Sequence, residues 1–185
     1  MATKYVAAHM DEAVAQFVCS RIPGMDLERS PYTAIGQLDH LGNIIGGVVF
    51  NNYVDGRDIH MHTAGTGPRW LTRRFIGEVF RYVFVQLGCR RCTGLVARSN
   101  EHAAIFDQKL GFRYEGVLRA YLAGDEDVLI FGMLREECRW LKVGELKYGS
   151  NQRARGASGE SITVERRQPA TTIPLRRIER PATRQ

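Results

Sequence analysis

Residues 100–119 leave little freedom in how this chain can run. Asn100 is followed by ten residues with no helix breaker, then Gly111, then a run of alternating character from Arg113 to Arg119. An Asn opens a helix because its side-chain oxygen accepts a backbone N–H that the first turn leaves unpaired. A Gly closes one because it enters the left-handed region without a Cβ penalty. The spacing predicts a strand over 92–97, a helix over 101–110 with Gly111 at its end, and a new strand over 114–121.

The same reasoning extends in both directions. Met10, Ala13, Val14, Phe17 and Val18 recur at helical spacing over 10–21, and Pro23 and Gly24 stop the helix. Residues 32–39, 46–54 and 57–64 read as three strands of an antiparallel meander, turned at 40–43 and at Asp55-Gly56. The longest helix is expected over 70–87, with Leu71, Phe75, Val79, Phe80, Val83, Phe84 and Leu87 on one face and Gly88 at its end. The strand at 92–97 should lie parallel to the one before that helix, by the crossover rule. Strands at 114–121 and 128–134 close a hairpin, and a further helix is expected over 135–147. Two units follow: a folded domain over 1–147 and a basic extended arm over 148–185.

Charge separates these units. The 185 residues carry a formal charge of +6, yet 151–185 alone hold eight arginines against three glutamates. The arm's arginines (Arg153, Arg155, Arg166, Arg167, Arg176, Arg177 and Arg180 among them) suit an acidic neighbour in an assembly or nucleic acid. The arm lacks aromatic residues for base stacking, and 161–165 are a candidate added strand. No apolar run reaches membrane-spanning length, and the N-terminus has no apolar core of signal-peptide length. Cys89 and Cys92 form a lone CxxC without a second pair, so reduced thiols are expected rather than a metal site.

Asn100, Ala103 and Lys109-Leu110-Gly111-Phe112 together resemble the GNAT acyltransferase superfamily, in the branch that acetylates protein N-termini and related amines. The resemblance runs over about residues 30–134, and 127–134 look like that branch's closing strand. The chain is also similar to GNAT-type proteins of tailed phages at Asn52-Tyr53, 60–62, 69–71 and 137–141. The fold implied is α/β (α+β): a mixed, mostly antiparallel central sheet flanked by helices, with the extended arm added. The cofactor implied is acetyl-CoA, its pyrophosphate held by a glycine-rich loop at a helix N-terminus. In this chain that loop is 65–74, and the family's glycine positions fall on Pro68, Trp70 and Thr72. Pro68 has no N–H to donate, and Trp70 puts an indole where bare backbone is expected. Either Arg69, Arg73 and Arg74, beside Trp70, Leu71 and Thr72, hold the pyrophosphate by charge, or no cofactor binds.

The family's Tyr proton donor, seven residues after the Asn, is replaced by Asp107. A carboxyl can donate there only if burial raises its pKa. Asn100 is a candidate to order the cofactor arm or the substrate. His60 and His62 share one strand face and are candidate general bases. Two readings stand. In the first, a phage-encoded GNAT fold without its cofactor serves as a multimeric virion part of head–tail adaptor type, its arm binding neighbouring subunits and other virion proteins. In the second, an acetyl-CoA-dependent N-acetyltransferase acts on a protein or small-molecule amine in the host cytoplasm.

Overall fold

Glycine, β-branched and aromatic residues dominate the stretches that become strands, and the breaks between them fall at turn residues. A computed structural model describes residues 4–6, 11–26, 30–67 and 70–141. The elements are β1 (Lys4–Val6), α1 (Asp11–Cys19), β2 (Thr33–Leu38), β3 (Ile44–Val54), β4 (Asp58–Gly65), α2 (Arg73–Arg81), β5 (Arg91–Ala97), α3 (Glu101–Leu110), β6 (Arg113–Leu122) and β7 (Glu126–Leu134). They build one seven-stranded sheet in the order β1-β2-β3-β4-β5-β7-β6. Every neighbouring pair is antiparallel except β4 and β5. The helix between those two makes the parallel crossover that the sequence predicts.

The two sheet faces are covered differently. Helix α1 lies on β2 and β3, where Val14 sits directly over Gly36 and Gly47. Val14, Ala15 and Val18 pack there against Ala34 and Val49. On the other face α2 and α3 enclose the larger core, with Phe75, Phe80, Phe84 and Phe131 all but fully buried. Phe80 and Phe84 stack at 5.9 Å. Each such ring contributes up to about 3 kcal/mol of burial free energy.

Two expected elements differ. The helix predicted over 70–87 starts only at Arg73, because Thr72 caps it by accepting a hydrogen bond from the Phe75 N–H. Past Arg81 it widens into a π-helical turn, Tyr82–Gln86. That run is aromatic and β-branched and forms α-helix weakly. The helix predicted over 135–147 is a single 3₁₀ turn, Arg135–Glu137, within the described residues. Cys138 is extended, and the Trp140 indole N–H then donates to the Leu110 carbonyl at 2.7 Å. The Arg139 side chain donates to the Lys109 carbonyl. The last carbonyls of α3 lack partners within their own helix and draw in these donors, which ends the helical path. The arm and its arginines lie outside the described residues. No described helix is long and apolar enough to cross a membrane.

All four cysteines are free. Cys89, Cys92 and Cys138 are buried, and burial pushes the Cys89 thiol up to about 12 and Cys138 to about 11. A thiol reagent at pH 8 is therefore expected to label Cys19 alone in the native protein and all four in denaturant. Fast native labelling of two or more would contradict the burial.

Candidate active site

Strands β4 and β5 form a fork. At its base the Arg57 carbonyl accepts the Arg90 and Arg91 N–H groups, at 3.0 and 2.9 Å. Above that the strands pair at one register position, His60 with Thr93. Beyond it Met61–Gly65 and Gly94–Ala97 diverge, each hydrogen-bonded on its outer side to β3 or β7. Backbone N–H and C=O groups on the two inner edges thus face a gap. Both strands point their C-terminal ends at its mouth, and α2 and α3 start there. In open α/β sheets this is where ligands bind, because helix N-termini converge outside the strand ends.

The mouth on the α2 side is built differently from the sequence expectation. Trp70 does not lie outward, where it would cover the start of α2. Its indole rests on the sheet over Gly46 and Gly65, 7% exposed, and meets Phe75 edge-on at 5.8 Å. A Cβ at either glycine would fall inside the indole. Trp70 therefore anchors the loop from beneath, and the exposed Arg73 follows immediately at the helix start. Pro68 and Arg69 lie outside the described residues. Next to this loop Leu71, Thr63, Met61, Phe106 and Leu110 line an apolar hollow with space for about one water.

From the α3 side Asp107 reaches the apex of the fork. Its Oδ2 lies 2.9 Å from where a Cβ on Gly94 would stand. Only a glycine admits the carboxyl there. Gly94 is the first residue beyond the paired Thr93. Asp107 is 8% exposed, and desolvation raises its pKa from 3.8 to about 7. Its carboxyl thus holds a proton over much of the neutral range. Asn100 caps α3: its Oδ1 accepts the Ala103 N–H at 3.1 Å, so that oxygen is occupied in shaping the helix.

From the opposite face His60 and His62 approach the same apex. His62 Nε2 donates to Asn51 Oδ1 at 3.0 Å, and Asn52 Nδ2 donates to His60 Nδ1 at 3.2 Å. Burial lowers both imidazoles, His62 to about 4. They are neutral at pH 7, but His62 is a much weaker base than its ordinary pKa implied. Below them Thr93 donates to Asp58 (2.7 Å to Oδ2) and accepts from Arg91 Nε at 2.9 Å, while Arg91 grips Glu115 through two bonds. This ion pair holds the Glu115 carboxyl below its usual range and lies over Gly132.

The structure therefore gathers Asp107, His60 and His62 around one apex and sets Trp70, Leu71, Thr72, Arg73 and Arg74 at its mouth. Asn51, Asn52, Asp58, Thr93, Arg91 and Glu115 escape sequence reasoning, since their partners are set by strand register. Only Asn51-Asn52 carried a usable signal: Asn tolerates positive φ, and two in succession before a turn mark a bulge. Among the described residues no group of three or more His, Cys, Asp or Glu is gathered as a metal would require.

No family model and no curated relative matches the sequence. Solved structures do match. A variant of the spermidine N-acetyltransferase SpeG from Vibrio cholerae aligns at 24% identity over 56% of this chain with a TM-score of 0.47, and the match spans 64% of that chain. A chimera of that enzyme and hSSAT aligns at 17% identity over 71% of this chain and 95% of the other, with a TM-score of 0.56. An acetyltransferase-like protein from Acinetobacter baylyi ADP1 aligns at 12% identity over 72% and 93%, with a TM-score of 0.57. The chain has the GNAT fold. At these identities the two longer alignments establish that architecture and nothing finer. In this GNAT fold the fork apex carries a buried carboxyl on one face and two neutral imidazoles on the other.

Proposed function

We propose that the protein transfers an acyl group from acetyl-CoA to a primary amine. The observation that carries this reading is the fork: two parallel strands joined at His60 and Thr93 and open beyond, with helix N-termini at the mouth. An extended arm bearing amide groups satisfies the inner strand edges, and a pyrophosphate suits the start of α2 beside Arg73. Acetyl-CoA has both parts, and when bound it supplies an acyl group activated as a thioester. Asp107 holds its proton at the apex, placed to give it to a sulfur leaving as the carbon–sulfur bond breaks and the carbon–nitrogen bond forms. His62, lowered to about 4, is too weak to retain the amine's proton; that proton leaves to water.

The chimera of the Vibrio cholerae enzyme and hSSAT is a spermidine N-acetyltransferase by name, which supports an amine as the acceptor class. The assembly reading, a virion component bound through the basic arm, rests on residues outside those described, and no feature of the described fold favours it. Calorimetric titration with acetyl-CoA tests the enzyme reading. A dissociation constant between about 1 μM and 1 mM is expected, weakened by Arg73→Glu. Absence of heat up to millimolar ligand would refute it.

A further inference from the structure

The bulge in β3 explains how two adjacent asparagines reach one face. In a regular strand Asn51 and Asn52 would point to opposite faces. Here the register shifts between Asn51 and Val54, so that two residues of β3, Asn52 and Tyr53, stand against one of β4, Ile59. Asn52 sits at φ 49°, one of three non-glycine residues with positive φ among those described. Strained backbone of this kind persists where the surroundings require it and clusters at functional sites. The result is that consecutive residues each hold one histidine of the apex.

We propose that the β3 bulge makes Asn51 and Asn52 positioning residues that set the two histidines with opposite free ends toward the apex. Asn52 donates to His60 Nδ1, so the proton of neutral His60 sits on Nε2 and the ring's other end is an N–H donor. Asn51 accepts from His62 Nε2, so the proton is again on Nε2 and the ring's other end, Nδ1, keeps its lone pair. One ring offers a donor and the other an acceptor, although both have the same tautomer. Asp58 would otherwise compete for the His60 ring, but it is already engaged by Thr93 and Arg91. Use of the pair in acyl transfer, with His60 N–H facing an acyl oxygen, rests on the function proposed above. The tautomer assignment stands on the geometry alone.

Long-range ¹H–¹⁵N correlation spectra of the uniformly labelled full chain at neutral pH read the tautomers directly, with signals assigned through His60→Gln and His62→Gln. His60 is expected as Nε2–H alone, and the His62 Nε2–H proton as a slowly exchanging signal lost in Asn51→Leu. Asn52→Asp replaces the donor with an acceptor and is expected to switch His60 to Nδ1–H without altering His62. Asn52→Gly keeps the positive φ, covers the case in which the aspartate does not fold, and is expected to leave His60 as a mixture. Nδ1–H on His60 in the unaltered protein, or a His60 ring unmoved by both Asn52 changes, would overturn the proposal. Failure of acetyl-CoA to bind would sink the proposed function and leave these spectra unaffected.

Discussion

Asp107→Asn is expected to lower the rate of acyl transfer by about 10²–10⁴-fold, the usual contribution of a positioned proton donor. The KM for acetyl-CoA should hardly change, since the side chain acts when the sulfur leaves rather than when the thioester binds. The expectation rests on two observations together. Gly94 leaves room for the carboxyl at the fork apex, and burial keeps that carboxyl protonated up to about pH 7. An amide of the same shape fits the place and cannot supply the proton. Steady-state rates with an amine acceptor decide the matter: a variant with unaltered kcat would remove Asp107 from the chemistry.

The second large effect appears in stability rather than rate. Burial raises Asp107 from 3.8 to about 7, so its neutral form is favoured on folding. That contribution is complete below the unfolded value and is lost as pH rises through the folded one, about 4 kcal/mol in all. Burial lowers His62 from 6.5 to about 4, again favouring the neutral form. Its contribution is complete above 6.5 and is lost as pH falls toward 4, about 3 kcal/mol. Between pH 4 and 6.5 the unfolded chain carries its proton on His62, and the folded protein carries it on Asp107. Both states bind one proton, so the two slopes cancel. Urea unfolding across this range should therefore show nearly constant stability from these groups in the unaltered protein. Asp107→Asn should make stability rise with pH, by about 1.4 kcal/mol per unit, and His62→Gln should make it fall by a similar amount. Equal slopes in all three proteins would show that folding shifts neither group.

Element order was legible from sequence because local signals agreed with the fold. Asn100 and Gly111 do cap α3, and the crossover helix does make β4 and β5 parallel. What failed was decided by tertiary contacts. Residues 135–141 carry an apolar helical pattern, yet the free carbonyls of Lys109 and Leu110 bend the chain toward them. Trp70 read as an obstruction because sequence cannot show that Gly46 and Gly65, from different strands, form a bare floor for it. The candidate site was legible by residue type at Asp107, His60 and His62. The protonation that lets Asp107 act, and the weakness of His62 as a base, depend on burial that no spacing reveals.

The fork also bears on how the molecule holds together. With β4 and β5 sharing one rung at His60 and Thr93, the seven strands amount to two smaller sheets, β1 to β4 and β5 to β7. The backbone ladder alone would let them twist about that rung. Phe75, Phe80 and Phe84, on the helical segment between them, couple the halves together with the Arg57 carbonyl's bonds to Arg90 and Arg91 and the Thr93–Asp58 hydrogen bond. Motions that widen the gap should then be opposed by aromatic packing at its back.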